Sequence, residues 1–388
     1  MKIRTFLLMI SLFPAVIIEA QPVNFVSGTW QEVKTKARSE NKYLFVDCYT
    51  EWCGWCKVLD EKTFSNVKVG DFMNRGFISV KIDMEKGYGI NLAMKYRVNA
   101  FPTGLIFNPE GKLVYVTIGF QAPEAFLNTL KEALNPDNQY NLKGISDIID
   151  MDYPQFYKDA FGAGGKRKYP DQAAINKFLS GQEDLFSEIS WSVISRFTVG
   201  EKYLRFFLDN LGKYRDLYGY EADKKINDIL GQNLNTAIKE KNENLFRESL
   251  MQIDKYIEEP GKQEMLQSFK LDYFSNTDDW KSFAQEFKFY IDSKGYSDPG
   301  LINSYCWRIY ETCANKEIIA KACEWMKNAS GKDPQYAYID TYAALLFKAG
   351  RYKEAEDKAS EAIVAGKKAG EDVKSTVDLI GKIQAAAK

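Results

Sequence analysis

A pair of cysteines separated by two residues, set between a strand-like run and a helix-like one, constrains this chain more than any other feature. Tyr43-Leu44-Phe45-Val46-Asp47-Cys48-Tyr49 is apolar, aromatic and β-branched, the make-up of a buried strand. Trp52-Cys53-Gly54-Trp55-Cys56-Lys57 follows at once, and Val58, Leu59 and Phe64 then recur at helical spacing. A thiol at the first turn of a helix meets unsatisfied N–H groups and the positive end of the dipole, which favour a thiolate. Downstream, Phe77 to Asp83 reads as a second strand, followed by a short helix through Leu92, Ala93 and Tyr96. A strand from Gly104 to Phe107, the turn Asn108-Pro109-Glu110-Gly111 and a strand from Leu113 to Ile118 form a hairpin. An amphipathic helix from Ala122 to Leu134 closes the series. The order βαβαββα predicts an α/β layer with helices on both faces.

The residue inventory narrows the chemistry. The chain has 388 residues, enough for two or three domains, and none of them is histidine. Imidazole zinc sites, Ser-His-Asp triads and Cys-His proteases are therefore excluded. Lysine and arginine number 52 against 53 acidic residues, a net charge of −1, so no nucleic-acid partner is expected. A lone C-x-x-C supplies half a tetrahedral zinc site, and neither a second C-x-x-C nor a histidine is present to complete it. No metal or cofactor is expected.

Residues 24–136 resemble a thioredoxin domain, within a segment bounded at 21 and 137. The resemblance is carried by Asp47 six residues before the first cysteine and by the Trp52-Cys53-Gly54-Trp55-Cys56-Lys57 core. Ile82-Asp83 at a strand end, Phe101-Pro102-Thr103, the Gly111 turn and Gly119 fall in the same register. Thr63-Phe64-Ser65 is also similar to the C-terminal domain of DsbD-type thiol:disulfide interchange proteins. The resemblance implies that Cys53 is the exposed nucleophile and that Cys56 resolves the mixed disulfide. It implies that Asp47 relays the second thiol's proton, and that Pro102 is a cis-proline whose preceding residue, Phe101, pairs with extended substrate. Trp52 reads mainly as packing, Trp55 as partly exposed and able to touch clients.

Two departures from thioredoxin stand out. Gly-Trp replaces Gly-Pro between the cysteines, and no histidine is there to stabilise a thiolate, so a potential nearer about −270 mV than about −120 mV is expected, which favours reductase over oxidase or isomerase. The strand lysine that neighbours the buried aspartate in thioredoxin falls on Ser79. Cys48 should face away from Asp47 and serve as a buried packing thiol.

The ends of the chain carry different signals. Lys2 and Arg4 precede an apolar stretch from Thr5 to Ile18, with Ala20 before Gln21, the pattern of a cleaved signal peptide over residues 1–20. The run is shorter than the roughly twenty residues of a membrane span. A periplasmic or secreted protein without stable membrane insertion is expected, with protein disulfides as substrates and a membrane thiol electron donor of DsbD type. Asn135-Pro136-Asp137-Asn138 reads as a linker, after which residues 138–300 are helical in pattern. The loop Gly162 to Lys168 lacks the serine or threonine of a phosphate-binding loop and reads as a solvated basic loop. In 301–388, Tyr305 to Tyr310 matches Tyr342 to Phe347 at an offset of 37. The second copy resembles a tetratricopeptide repeat, with Ala343, Gly350, Ala355 and Ala362 at packing positions. Cys306, Cys313 and Cys323 read as buried thiols, with a Cys306–Cys323 bridge as the alternative. The expected architecture is a thioredoxin fold followed by an all-α, repeat-like domain. A protein-binding scaffold using the thioredoxin fold only as a module is the reading from a different class.

Overall fold

The computed structural model describes residues 21–162 and 166–388. The expected signal peptide and the centre of the Gly162–Lys168 loop lie outside them. The chain divides into two compact units, the first running to Lys225 and the second spanning Ile226–Lys388.

The first unit is built on a five-stranded mixed sheet. Its elements in order are β1 (Phe25–Val26), α1 (Trp30–Ser39), β2 (Tyr43–Tyr49), α2 (Gly54–Leu59), α3 (Val67–Gly76), β3 (Phe77–Asp83), α4 (Tyr88–Lys95), β4 (Thr103–Phe107), β5 (Leu113–Ile118) and α5 (Pro123–Leu134). The strand order is β1-β3-β2-β4-β5, with β1, β3 and β2 parallel, β4 antiparallel to β2 and β5 antiparallel to β4. The parallel strands are joined through helices, whereas Gly111, at φ +83°, closes the β4–β5 hairpin. All seven strands and helices named from the sequence from Tyr43 onward are present. Three elements are additional: β1, α1 and α3.

Local chemistry explains why they form. Thr29 caps α1 in a reciprocal arrangement with Glu32, and Asn66 accepts from Lys68 and Val69 N–H at the start of α3. Between α2 and α3 the backbone widens into a π-helical turn, Asp60–Phe64, in which Ser65 N–H donates to the Asp60 carbonyl five residues back. That turn delivers Phe64 to the core, edge-on to Phe25, Phe45 and Phe126.

Beyond Pro136–Asn138, a short 3₁₀ turn, every regular element among the described residues is a helix. The first unit continues with α6 (Gln155–Asp159), α7 (Gln172–Ser180), α8 (Glu188–Arg196), α9 (Glu201–Asp209), α10 (Leu211–Tyr218) and the start of α11 (Tyr220–Glu240). These helices pack on the sheet layer rather than trailing from it. Tyr140 N–H donates to the Val114 carbonyl of β5, and its ring stacks between Tyr115 and Tyr220.

The second unit holds the remainder of α11, then α12 (Glu243–Tyr256), α13 (Gly261–Asn276), α14 (Trp280–Lys294), α15 (Pro299–Thr312), α16 (Lys316–Lys332), α17 (Tyr336–Lys348), α18 (Tyr352–Ala369) and α19 (Lys374–Ala386). The matched sequences at offset 37 fall on α15 and α17, and those helices share one apolar cluster with α16 and α18. Ala343, Ala355 and Ala362 are fully buried, as close helix packing requires. Gly350 has a different role from the packing one expected. Its φ is +77° and a Cβ there would meet nothing within 4 Å, so it ends α17 in a left-handed turn. Cys306, Cys313 and Cys323 are free and buried. Burial pushes the Cys323 thiol up to about 11 and raises Cys306 well above its ordinary range.

Candidate active site

β2 delivers the site and α2 completes it. Cys53 is the N-cap of α2, its own N–H held by the Thr50 carbonyl at 3.1 Å. Its sulfur accepts the Cys56 backbone N–H at 3.0 Å, so one of the orphan donors of the helix start is aimed at the first sulfur. Cys53 and Cys56 are joined in a disulfide. Exposure does not separate the two: Cys53 is 3% and Cys56 6% exposed, against the expectation of an exposed first cysteine. What distinguishes Cys53 is its place at the cap, where its sulfur accepts the Cys56 N–H, while Cys56 lies inside the helix.

Asp47 is 2% exposed, on the strand that leads into the pair. Burial raises its carboxyl to about 6, against the partial compensation of the Lys81 ammonium. Lys81 Nζ lies 3.1 Å from Asp47 and also ion-pairs with Asp60 on the π-helical turn. The cation is cradled by aromatic rings as well, 4.9 Å from the centroid of Phe25 and 5.4 Å from that of Phe64. The sheet register explains the pairing: Asp47 lies directly opposite Lys81 in the parallel β2–β3 pair. Ser79, where alignment with thioredoxin put the neighbouring position, pairs with Phe45 instead. The lysine is thus present after all, two residues further along the strand on the same face. The alternation of side chains in Phe77 to Asp83 was the signal that would have found it. Cys48, on the other face, is fully buried, and burial drives its thiol well above the ordinary range.

The Phe101–Pro102 peptide is cis, and Pro102 accepts Gly119 N–H at its carbonyl. Phe101 meets the Trp52 ring edge-on at a centroid distance of 5.9 Å. Trp52 is nonetheless 60% exposed and its indole N–H donates to Glu85, so it is a surface residue rather than the packing residue expected. Trp55 is 61% exposed and leans on Phe120 at 5.7 Å. The structure therefore gathers Cys53, Cys56, Trp52, Trp55, Phe101 and Pro102 at one end of the sheet, with Asp47 buried on the strand that leads there.

A thioredoxin fold carrying a bonded cysteine pair at a helix N-cap defines the class: a thioredoxin-like domain. Residues 17–127 match the family model Thioredox_DsbH, described as a protein of unknown function, DUF255, which puts this domain among the thioredoxin-like proteins. Spermatogenesis-associated protein 20 of Homo sapiens is 30% identical over 105 residues, 22% of this chain and 13% of that protein. Protein disulfide-isomerase of Zea mays is 27% identical over 101 residues, 26% of this chain and 20% of that protein. The chain thus spans only a small part of the length of the curated relatives it matches. A solved structure from Bacteroides thetaiotaomicron, provisionally named a disulphide-isomerase, is 39% identical and covers 30% of this chain and 98% of that one, with a TM-score of 0.29.

Proposed function

We propose that the chain is an exported protein-disulfide reductase. The Cys53 thiolate attacks one sulfur of a substrate disulfide, breaking that bond, releasing one substrate thiol and forming a mixed disulfide. Cys56 gives up its proton, attacks the Cys53 sulfur and releases the second substrate thiol, leaving Cys53 and Cys56 bonded to each other. Two electrons pass to the substrate in each turnover, so the pair must be re-reduced, and a membrane thiol donor of DsbD type suits a periplasmic or secreted protein. Asp47, with its carboxyl near 6, is a base poised close to neutral pH for the Cys56 proton. Trp52, Trp55, Phe101 and Pro102 offer the surface on which an extended client segment lies. The tetratricopeptide-like helices of 301–388 supply partner recognition.

The observation that carries this reading is the Cys53 sulfur at the N-cap of α2, accepting the Cys56 N–H. Among the described residues no helix is long and apolar enough to cross a membrane. The test is insulin reduction together with trapping in two variants. Cys56→Ser should accumulate mixed disulfides through Cys53, and Cys53→Ser should accumulate none and lose turnover. Equilibration with glutathione should give a potential nearer about −270 mV than about −120 mV. A value near the upper figure would make the protein an oxidase.

A further inference from the structure

The loop that presents Phe101 and Pro102 leaves from the end of α4, and that end is gripped from outside the thioredoxin layer. Lys95, the last residue of α4, is fully buried, and its Nζ donates to Glu188 Oε1 of α8 at 2.5 Å. The other oxygen of Glu188 accepts Ser146 N–H at 2.8 Å. Two residues on, Arg97 sits at φ +54°, a conformation a non-glycine residue holds only when its surroundings dictate it. Its Nη2 donates to both carboxylate oxygens of Glu221 at the start of α11, and its Nη1 donates to Ser192 Oγ at 3.2 Å. Glu221 also accepts the Trp191 indole N–H at 2.9 Å. Tyr157 Oη of α6 donates to the Met94 carbonyl at 2.8 Å. Three helices that follow the thioredoxin fold in sequence thus fix residues 94–97, and the next five residues end at Pro102, directly before β4.

Charge is an expensive way to glue such an interface. Replacing a buried ion pair with apolar side chains of similar volume is often neutral or stabilising, while such pairs fix one geometry. A fixed geometry matters where the loop meets substrate.

We propose that Lys95 and Arg97, held by Glu188 and Glu221, are positioning residues for the Phe101–Pro102 loop, so that the substrate-binding unit extends beyond the thioredoxin fold into the helices up to Lys225. The proposal rests on the reductase reading for its kinetic arm but has a second arm that does not. Glu221→Gln keeps the shape and an acceptor for Trp191 while removing the charge, and Tyr157→Phe removes a single hydroxyl. In the full-length protein, both variants lower kcat/KM for insulin relative to that for 5,5′-dithiobis(2-nitrobenzoate), a small disulfide that needs no extended pairing. The drop is about tenfold for Glu221→Gln, within the range that small misplacements produce. It appears in KM, and the potential of the cysteine pair does not move. Hydrogen exchange in the peptide covering residues 98–103 quickens in both variants. If either folded variant keeps the parental ratio and the parental exchange, the proposal is overturned; should Glu221→Gln not fold, Tyr157→Phe decides. A parent that reduces no insulin refutes the reductase reading alone, because the exchange measurement still judges the grip on the loop.

Discussion

Asp47→Asn should stabilise this protein, and by an amount that depends on pH in a defined direction. The Asp47 carboxyl titrates near 6 in the fold against 3.8 ordinarily, because burial disfavours its charge more than Lys81 favours it. Between those two values the folded protein binds a proton that the unfolded chain has released, so wild-type stability falls as pH rises through about 4 to about 6. Below that window the side chain is neutral in both states and costs nothing. Above it the fold must accommodate a buried carboxylate, at about 3 kcal/mol from the two-unit shift. Asparagine never carries the charge. Whatever the substitution does through packing or hydrogen bonding is the same at every pH and cancels in a comparison. Urea unfolding of parent and variant at pH 4 and pH 8, followed by tryptophan fluorescence, should therefore show the variant gaining about 2.5 kcal/mol more at pH 8 than at pH 4, because at pH 4 the unfolded carboxyl is already about half ionised. An equal effect at both pH values, or a larger gain in acid, would refute the assignment of Asp47 as a buried, destabilised carboxylate. The same variant should resolve mixed disulfides more slowly if Asp47 takes the Cys56 proton.

Removing the cation has the opposite consequence: Lys81→Met should raise the Asp47 carboxyl above about 6, moving the alkaline limb of the pH–stability curve upward, as a titration of the variant would read. Thiol counting with 5,5′-dithiobis(2-nitrobenzoate) should find no reactive thiol in the native oxidised protein, and four on denaturation, from Cys48, Cys306, Cys313 and Cys323. Gly350→Ala should cost about 1–2 kcal/mol in thermal or urea unfolding, since the left-handed conformation at φ +77° crowds a Cβ against its own backbone.

The sequence was most legible where composition and spacing agreed. The run Tyr43 to Tyr49, the cysteine pair and the Asn108–Gly111 turn each carried a strong local signal, and each is found where it was expected. Thr29-x-x-Glu32 was an equally readable helix start, but it precedes a helix only three of whose residues are buried, so its apolar stripe is faint. β1 is two residues long and exists only because β3 offers it an edge, which no local pattern announces. Lys81 was missed for a different reason. Alignment fixes which residue takes a position in a strand, whereas an ion pair needs only a cation on the right face within reach. The exposure of Trp52 and the near-equal burial of Cys53 and Cys56 depend on how the loops meet at one end of the sheet. The packing of 139–225 against the sheet layer rests on pairs such as Lys95 with Glu188, 93 residues apart, which sequence spacing cannot reveal.

The π-helical turn at Asp60–Phe64 makes the length of this stretch a matter of whole residues rather than of tolerance. Such a turn amounts to one extra residue inserted into an α-helix. Deleting any one of Glu61, Lys62 or Thr63 would let the backbone close into ordinary helix and remove the i→i+5 bond from Ser65 N–H to the Asp60 carbonyl. Phe64, which the wide turn brings to Phe25, Phe45 and Phe126, would have to reach them from a tighter one. A substitution in this turn leaves its five-residue span intact, whereas a single-codon deletion removes the wide turn itself.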